Sequence, residues 1–219
     1  MTNEFASSAI DVLSLAMLVV AIGIMWTRSL GRAMLLLGAQ SMMLATAAVY
    51  AGLATNSQHI LAAAGLTFIV KVVAVPAILW TVLQRIPTSH DVQASVGKRT
   101  GVAIATLLAV VFARTLGGQP FHTAIGAERV LPTAVTVMVI GILVMVTHRQ
   151  ALAQIVGFLV LENGMALAAL TATYGMPLVV EFGIFLDLLM AVFVAFVYTG
   201  RMHVIFGSLD TEHLRSLRG

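Results

Sequence analysis

The chain has 219 residues, of which 60 % are apolar and only 10 % charged, where soluble domains usually sit near ~45–50 % apolar even with glycine counted. With a mean hydropathy of +1.02 it carries more apolar surface than a water-soluble globule of this size could hide, so it is read as an integral membrane protein with no soluble catalytic domain. It has no cysteine, which excludes thiolate-held iron–sulfur clusters, CxxC redox chemistry and disulfides, and its net charge of +3 is read as a topology signal rather than a nucleic-acid footprint.

The apolar stretches predict an all-α polytopic protein with seven spans. They run at about 8–25, 33–53, 60–83, 100–116, 131–147, 151–171 and 178–198. The segment before the first holds Glu4 and no Lys or Arg, which reads as an uncleaved helix rather than a leader. Gly and Pro chemistry marks the breaks, as in Gly117-Gly118-Gln119-Pro120 and Tyr174-Gly175-Met176-Pro177. With the N-terminus outside, the inner side holds Arg28, Arg32, Arg85, Lys98, Arg99, Arg149, Arg201, Arg215 and Arg218, and the outer side only Arg114 and Arg129. That asymmetry predicts an N-out, C-in topology.

Polar groups recur at similar places in spans one to three and five to seven. Lys71 precedes Arg85 as Asp187 precedes Arg201, and Arg28 precedes Gln40 much as Arg149 precedes Glu162. The spacing suggests a parallel three-helix repeat joined by span four, an architecture that transporters use. The units are then 1–99 with its cytoplasmic loop, a connector helix and outer loop at 100–130, a second three-helix unit at 131–203, and a cytoplasmic tail at 204–219. Leu209, Leu214 and Leu217 lie outside any span and predict that the tail docks on a neighbouring subunit.

At ~1.5 Å per residue, Glu162, Asp187 and Lys71 each fall about 20 Å from the inner-end arginine of their span. All three are therefore placed near the bilayer midplane, where each costs about 2.5–3.5 kcal/mol in isolation. The functional explanation is an ion or proton relay; the plain one is an ion pair that locks helices together, although such pairs are not reliably stabilising. Glu181 is placed near the outer end of span seven, as an outer port or a snorkelling end charge, and Gln40 as a group that hydrogen-bonds a water in the pathway. Asn163 is read as a residue that fixes a neighbouring helix, Asp11 as a helix-start residue, and Pro76 as the source of a kink near Lys71. The small residues Ala62-Ala63-Ala64-Gly65, Gly157 and Gly164 predict close helix packing. No His falls in mid-span, so paired axial ligands for a transmembrane haem are missing.

Arg149-Gln150, Gly157 and Leu161-Glu162-Asn163-Gly164 resemble the second helix of the K-type subunit of respiratory complex I and of the C subunit of multisubunit cation/proton antiporters. Asp187 stands where that family's next buried acid, usually Glu, is found. Over nearly its full length the chain resembles component E of hydrogenase-4 and related membrane-bound [NiFe] hydrogenases. Phe68-Ile69-Val70-Lys71 with Pro76, the Glu-Asn-Gly step, Asp187 and the tail from Gly207-Ser208-Leu209-Asp210 to Leu217-Arg218-Gly219 carry that likeness. No single motif is specific; the combination is.

The resemblance implies a non-catalytic subunit in the membrane arm of a hydrogenase complex, multi-pass in a prokaryotic cytoplasmic membrane, with residues 131–203 as the K-subunit-like unit. It implies antiporter-like membrane subunits and a cytoplasmic [NiFe]/Fe–S arm as partners, together with membrane lipids and no nucleic acid. No cofactor or metal is expected in this chain. Glu162, Asp187, Lys71, Glu181 and Gln40 are the candidate proton or sodium pathway. The alternatives are a secondary antiporter subunit without redox chemistry and a passive structural scaffold.

Overall fold

The computed structural model describes residues 2–85, 98–116, 130–148 and 150–172. The predicted seventh span, the predicted outer loop and the tail lie outside the described residues, and Asp187 and Glu181 with them. The described chain is all-helical, with no strand. Its elements are α1 (Thr2–Trp26), α2 (Leu30–Ala54), α3 (Gln58–Thr67), a π-helical segment (Phe68–Ala74), α4 (Val75–Arg85), α5 (Lys98–Leu116), α6 (Val130–Thr147) and α7 (Ala151–Ala172).

Among the described residues five stretches are long and apolar enough to cross a membrane: Glu4–Trp26, Leu30–Ala54, Gln58–Thr81, Val130–Thr147 and Leu152–Thr171. At 18 to 25 residues they span about 27–38 Å, against a hydrocarbon core of about 30 Å. They coincide with predicted spans one, two, three, five and six. The fourth predicted span is helical as α5, but its apolar stretch is only Ala103–Phe112, about 15 Å long.

Local chemistry sets the helix ends. Glu4 places negative charge in the first turn of α1, where the helix dipole favours it. Helix α1 therefore begins well before Asp11, which lies in its third turn and is not the helix-start residue the sequence suggested. Helix α2 closes in a Schellman arrangement: the Ser57 amide donates to the Gly52 carbonyl at 3.0 Å and the Asn56 amide to that of Leu53 at 3.4 Å. Asn56 has φ 51°, the left-handed region that Asn tolerates better than branched residues.

The third span is one continuous rod with a π segment in its middle. The Val75 amide donates to the Val70 carbonyl, five residues back. Pro76 follows at once; it has no N–H to give, and its ring excludes the ordinary placement of the carbonyl four residues earlier. The expected perturbation near Lys71 is thus a widened turn, a device common at functional sites. Lys71 itself lies inside it.

Two helical hairpins, α1–α2 and α6–α7, form the body. Helix α1 lies against α6 and α2 against α7, while the third span leans on α2 and α5 packs on α6 and α1. The hairpin turns lie at one end. In the α6–α7 hairpin the backbones nearly touch: a Cβ on Gly141 would lie 2.5 Å from the Leu161 nitrogen and 2.7 Å from the Gly157 oxygen, and one on Gly164 would lie 2.8 Å from the Met138 nitrogen. Gly157 and Gly164 thus serve the close packing expected of them. Gly65 does not serve it among the described residues, none of which lies within 4 Å of a Cβ there.

The buried apolar residues separate into two clusters. One, toward the hairpin turns, joins Ile24, Met34, Leu37, Ile140, Val144 and Val156. The other, toward the opposite end, joins Ile10, Met17, Leu44, Ile60, Val130 and Leu167. Between them, at the level of Gln40 and Glu162, the core is polar.

The glycine geometry yields a paired expectation. Gly141→Ala must push two backbones apart and should cost about 1–3 kcal/mol, as overpacking does. Gly65→Ala meets open space and should be neutral or stabilising by up to about 1 kcal/mol. Thermal unfolding of the two variants in the same detergent measures the contrast.

Candidate functional site: a buried polar layer

Three helical segments each deliver polar side chains to the layer between the apolar clusters. Helix α2 supplies the adjacent pair Gln40 and Ser41, the π segment supplies Lys71, and α7 supplies Glu162 and Asn163. Lys71 is 4 % exposed, Glu162 3 %, Asn163 1 % and Gln40 0 %. Burial of this depth is tolerated for polar groups only when they are hydrogen-bonded or paired.

The Lys71 Nζ lies 3.6 Å from the Glu162 Oε1, an ion pair. The same Nζ donates to the Asn163 Oδ1 at 3.4 Å. The Asn163 Nδ2 donates in turn to the Gln40 Oε1 and the Ser41 Oγ, both at 3.2 Å. The Gln40 Nε2 donates to the backbone carbonyl of Met17 on α1 at 3.2 Å. The donors run in one direction, from the lysine through two amides to a main-chain oxygen. This order fixes which way each amide points, because reversing either would set donor against donor.

Adjacent residues on an α-helix point about 100° apart, so one step of α7 serves two neighbours. Glu162 reaches the third span and Asn163 reaches α2, while Gly157 and Gly164 occupy the α6-facing side. The π segment acts on the same geometry from across the site, because its wider turn changes the angle at which Lys71 leaves the rod.

Of the sequence-predicted site residues, the structure brings Lys71, Glu162 and Gln40 into one layer. Gln40 is joined to Asn163 and the Met17 carbonyl rather than to an ionisable group. Asp187 and Glu181 lie outside the described residues. Sequence reasoning missed Ser41 and the Met17 carbonyl. The side-by-side Gln40-Ser41 pair inside an apolar run was the available signal for Ser41; a backbone acceptor has none.

Chemically, the layer combines a base, an acid and a fixed set of dipoles. Only Lys71 and Glu162 of these side chains can exchange a proton; the amides orient them. Among the described residues no group of three or more His, Asp or Glu side chains is placed to hold a metal ion. A further titratable residue, His148, is buried at the hairpin-turn end. Its Nδ1 lies 2.8 Å from the Val144 carbonyl, and the intervening core toward Glu162 is the first apolar cluster.

No protein-family profile matches the chain, and no solved structure does. Among curated proteins, it is 30 % identical over the whole of both chains to an uncharacterised protein of Mycobacterium tuberculosis. It is 30 % identical to hydrogenase-4 component E of Escherichia coli K12 over 152 residues, which cover 69 % of this chain and 70 % of the relative. Component E of Shigella flexneri matches to the same extent. An all-helical chain with membrane-length helices and this likeness belongs to the hydrogenase-4 component E family.

Proposed function

We propose that the chain is a membrane subunit of a hydrogenase complex and contributes the Lys71–Glu162 pair to proton or sodium translocation, coupled to hydrogen chemistry elsewhere in the complex. The observation that carries this reading is an acid and a base in contact, buried at mid-depth between two apolar layers. A group that only had to fill the core would be better replaced by a well-packed apolar side chain. In the proposed relay, Glu162 takes up and releases the ion, Lys71 compensates its charge, and Asn163 and Gln40 hold the lysine in place. Asp187 extends the axis and Glu181 serves as its outer port. The apolar cluster toward the hairpin turns supports a route that runs along the plane of the layer toward neighbouring antiporter-like subunits.

The proposed topology is seven spans with the N-terminus outside and the C-terminus inside, the two three-helix units being parallel repeats. The side-by-side α1–α2 and α6–α7 hairpins, with turns at one end, support it. The membrane is taken to be the prokaryotic cytoplasmic membrane, the partners the membrane subunits and cytoplasmic [NiFe]/Fe–S arm of the complex, and the redox cofactors to lie outside this chain.

A second reading, a structural scaffold, draws on the hydrogen bonds that tie α1, α2, α7 and the third span together. The two separate experimentally. Glu162→Gln and Asp187→Asn keep size and hydrogen bonding but remove titration; each should leave an assembled complex whose ion translocation per hydrogen turned over falls roughly tenfold or more. Lys71→Met should lose less, and Lys71→Arg should not restore the full rate, because guanidinium cannot alternate protonation states. Proteoliposomes of the intact complex supply the ratio, and wild-type translocation by both carboxyl variants would establish the scaffold instead.

Asn163→Ala addresses positioning. It removes the amide between Lys71, Gln40 and Ser41, and should lower stability by about 1–3 kcal/mol for each buried group left unsatisfied, read as a drop in Tm of the purified chain. Cysteines placed at Ser208 and Thr123 check the topology: membrane-impermeant labelling should reach them from opposite sides.

A further inference from the structure

The turn between α1 and α2 carries an open cavity of about 430 Å³, lined by Gly23, Trp26, Thr27, Arg28, Arg32, Leu35 and Leu36. Its size falls within the ~300–1,000 Å³ of small-molecule sites. The lining is graded. Arg28 and Arg32 are exposed at the mouth. Leu35 and Leu36 follow one turn further along α2, on the same face as Arg32 by i, i+3 and i+4 spacing, and Leu35 is 68 % exposed. Trp26, 50 % exposed, stands at the rim.

Among the described residues no carboxylate neutralises the arginines. The sequence contains no Asp or Glu between Asp11 and Asp91, and among the described residues neither Arg28 nor Arg32 has a carboxylate partner. The counter-charge must come from outside these helices. The depth of the site is marked independently, because both tryptophans of the chain lie at this end. Trp80 packs over Gly31, with a ring carbon 3.5 Å from where a Cβ would lie, and Trp26 closes α1. Indole rings favour the level of lipid headgroups.

We propose that this cavity binds one anionic phospholipid, its phosphate held between Arg28 and Arg32 and the upper part of an acyl chain laid along Leu35 and Leu36. A free phosphate would have no use for the apolar wall, and a zwitterionic lipid, which has no net charge, would leave the paired guanidinium charge uncompensated. The proposal rests on the membrane placement of α1 and α2 and is independent of the ion relay.

The test uses full-length Trp80→Phe protein, in which Trp26 is the sole tryptophan and is excited selectively over the tyrosines, in phosphatidylcholine vesicles. Brominated phosphatidylglycerol or brominated phosphatidylcholine is added at equal bromine content. Quenching of Trp26 should favour phosphatidylglycerol by about thirtyfold in relative affinity, with about fivefold lost in each of Arg28→Gln and Arg32→Gln and the preference gone in the double variant. The Arg28→Lys, Arg32→Lys pair should keep most of it, which separates charge loss from misfolding. Millimolar inorganic phosphate should leave the preference unchanged. Equal quenching by the two lipids in the parent protein, a preference that survives the double Gln substitution, or abolition by inorganic phosphate would each overturn the lipid assignment. So would loss of Trp26 quenching in the intact complex, since a neighbouring subunit would then occupy the cavity.

Discussion

A lysine and a glutamate buried at the centre of a membrane-length bundle constrain everything around them. Each alone in hydrocarbon would cost about 2.5–3.5 kcal/mol. At 3.6 Å they compensate one another, but only if α7 and the third span stay within side-chain reach. Attraction between the two charges does not satisfy the remaining donors of the ammonium. Asn163 does part of that work, and its own amide is then committed to α2. A charge pair between two segments thus becomes a hydrogen-bonded layer that involves four.

The rest of the fold can be understood as support for that layer. Lipid supplies no hydrophobic force between helices, so van der Waals contact must hold them. The glycines of α6 and α7 permit backbone contact there, and a tight hairpin fixes the height and rotation of Glu162 and Asn163. The π segment plays the corresponding part for Lys71. Its extra residue in the turn arises where Pro76 removes a donor, so one local irregularity both relieves the proline and aims the lysine. Apolar clusters above and below then lower the local dielectric, which strengthens each interaction within the layer.

The two ends of the bundle have different chemistry. The hairpin-turn end carries Arg28, Arg32 and both tryptophans, and the sequence supplies no acid between Asp11, toward the opposite end of α1, and Asp91. Cations without a carboxylate partner among the described residues favour anionic surfaces. The exposed Leu35 immediately beside them adds an apolar wall.

Much of this was legible in the sequence because membrane burial leaves a one-dimensional record. Length and hydropathy determined an all-helical polytopic chain, and the five described membrane-length helices lie where the apolar stretches do. Distance along a helix axis is linear in residue number, so Lys71 and Glu162 could be placed at one depth, and Asp187, outside the described residues, was placed with them. Depth, however, says nothing of direction around an axis. Only the tertiary structure decided that Lys71 meets Glu162 and Asn163, that Gln40 turns to Asn163 and the Met17 carbonyl, and that Gly65 meets no neighbouring helix among the described residues. The reason is physical: azimuth depends on how one helix packs against another and on the extra residue in the turn before Pro76, and both are set by contacts between segments far apart in the chain.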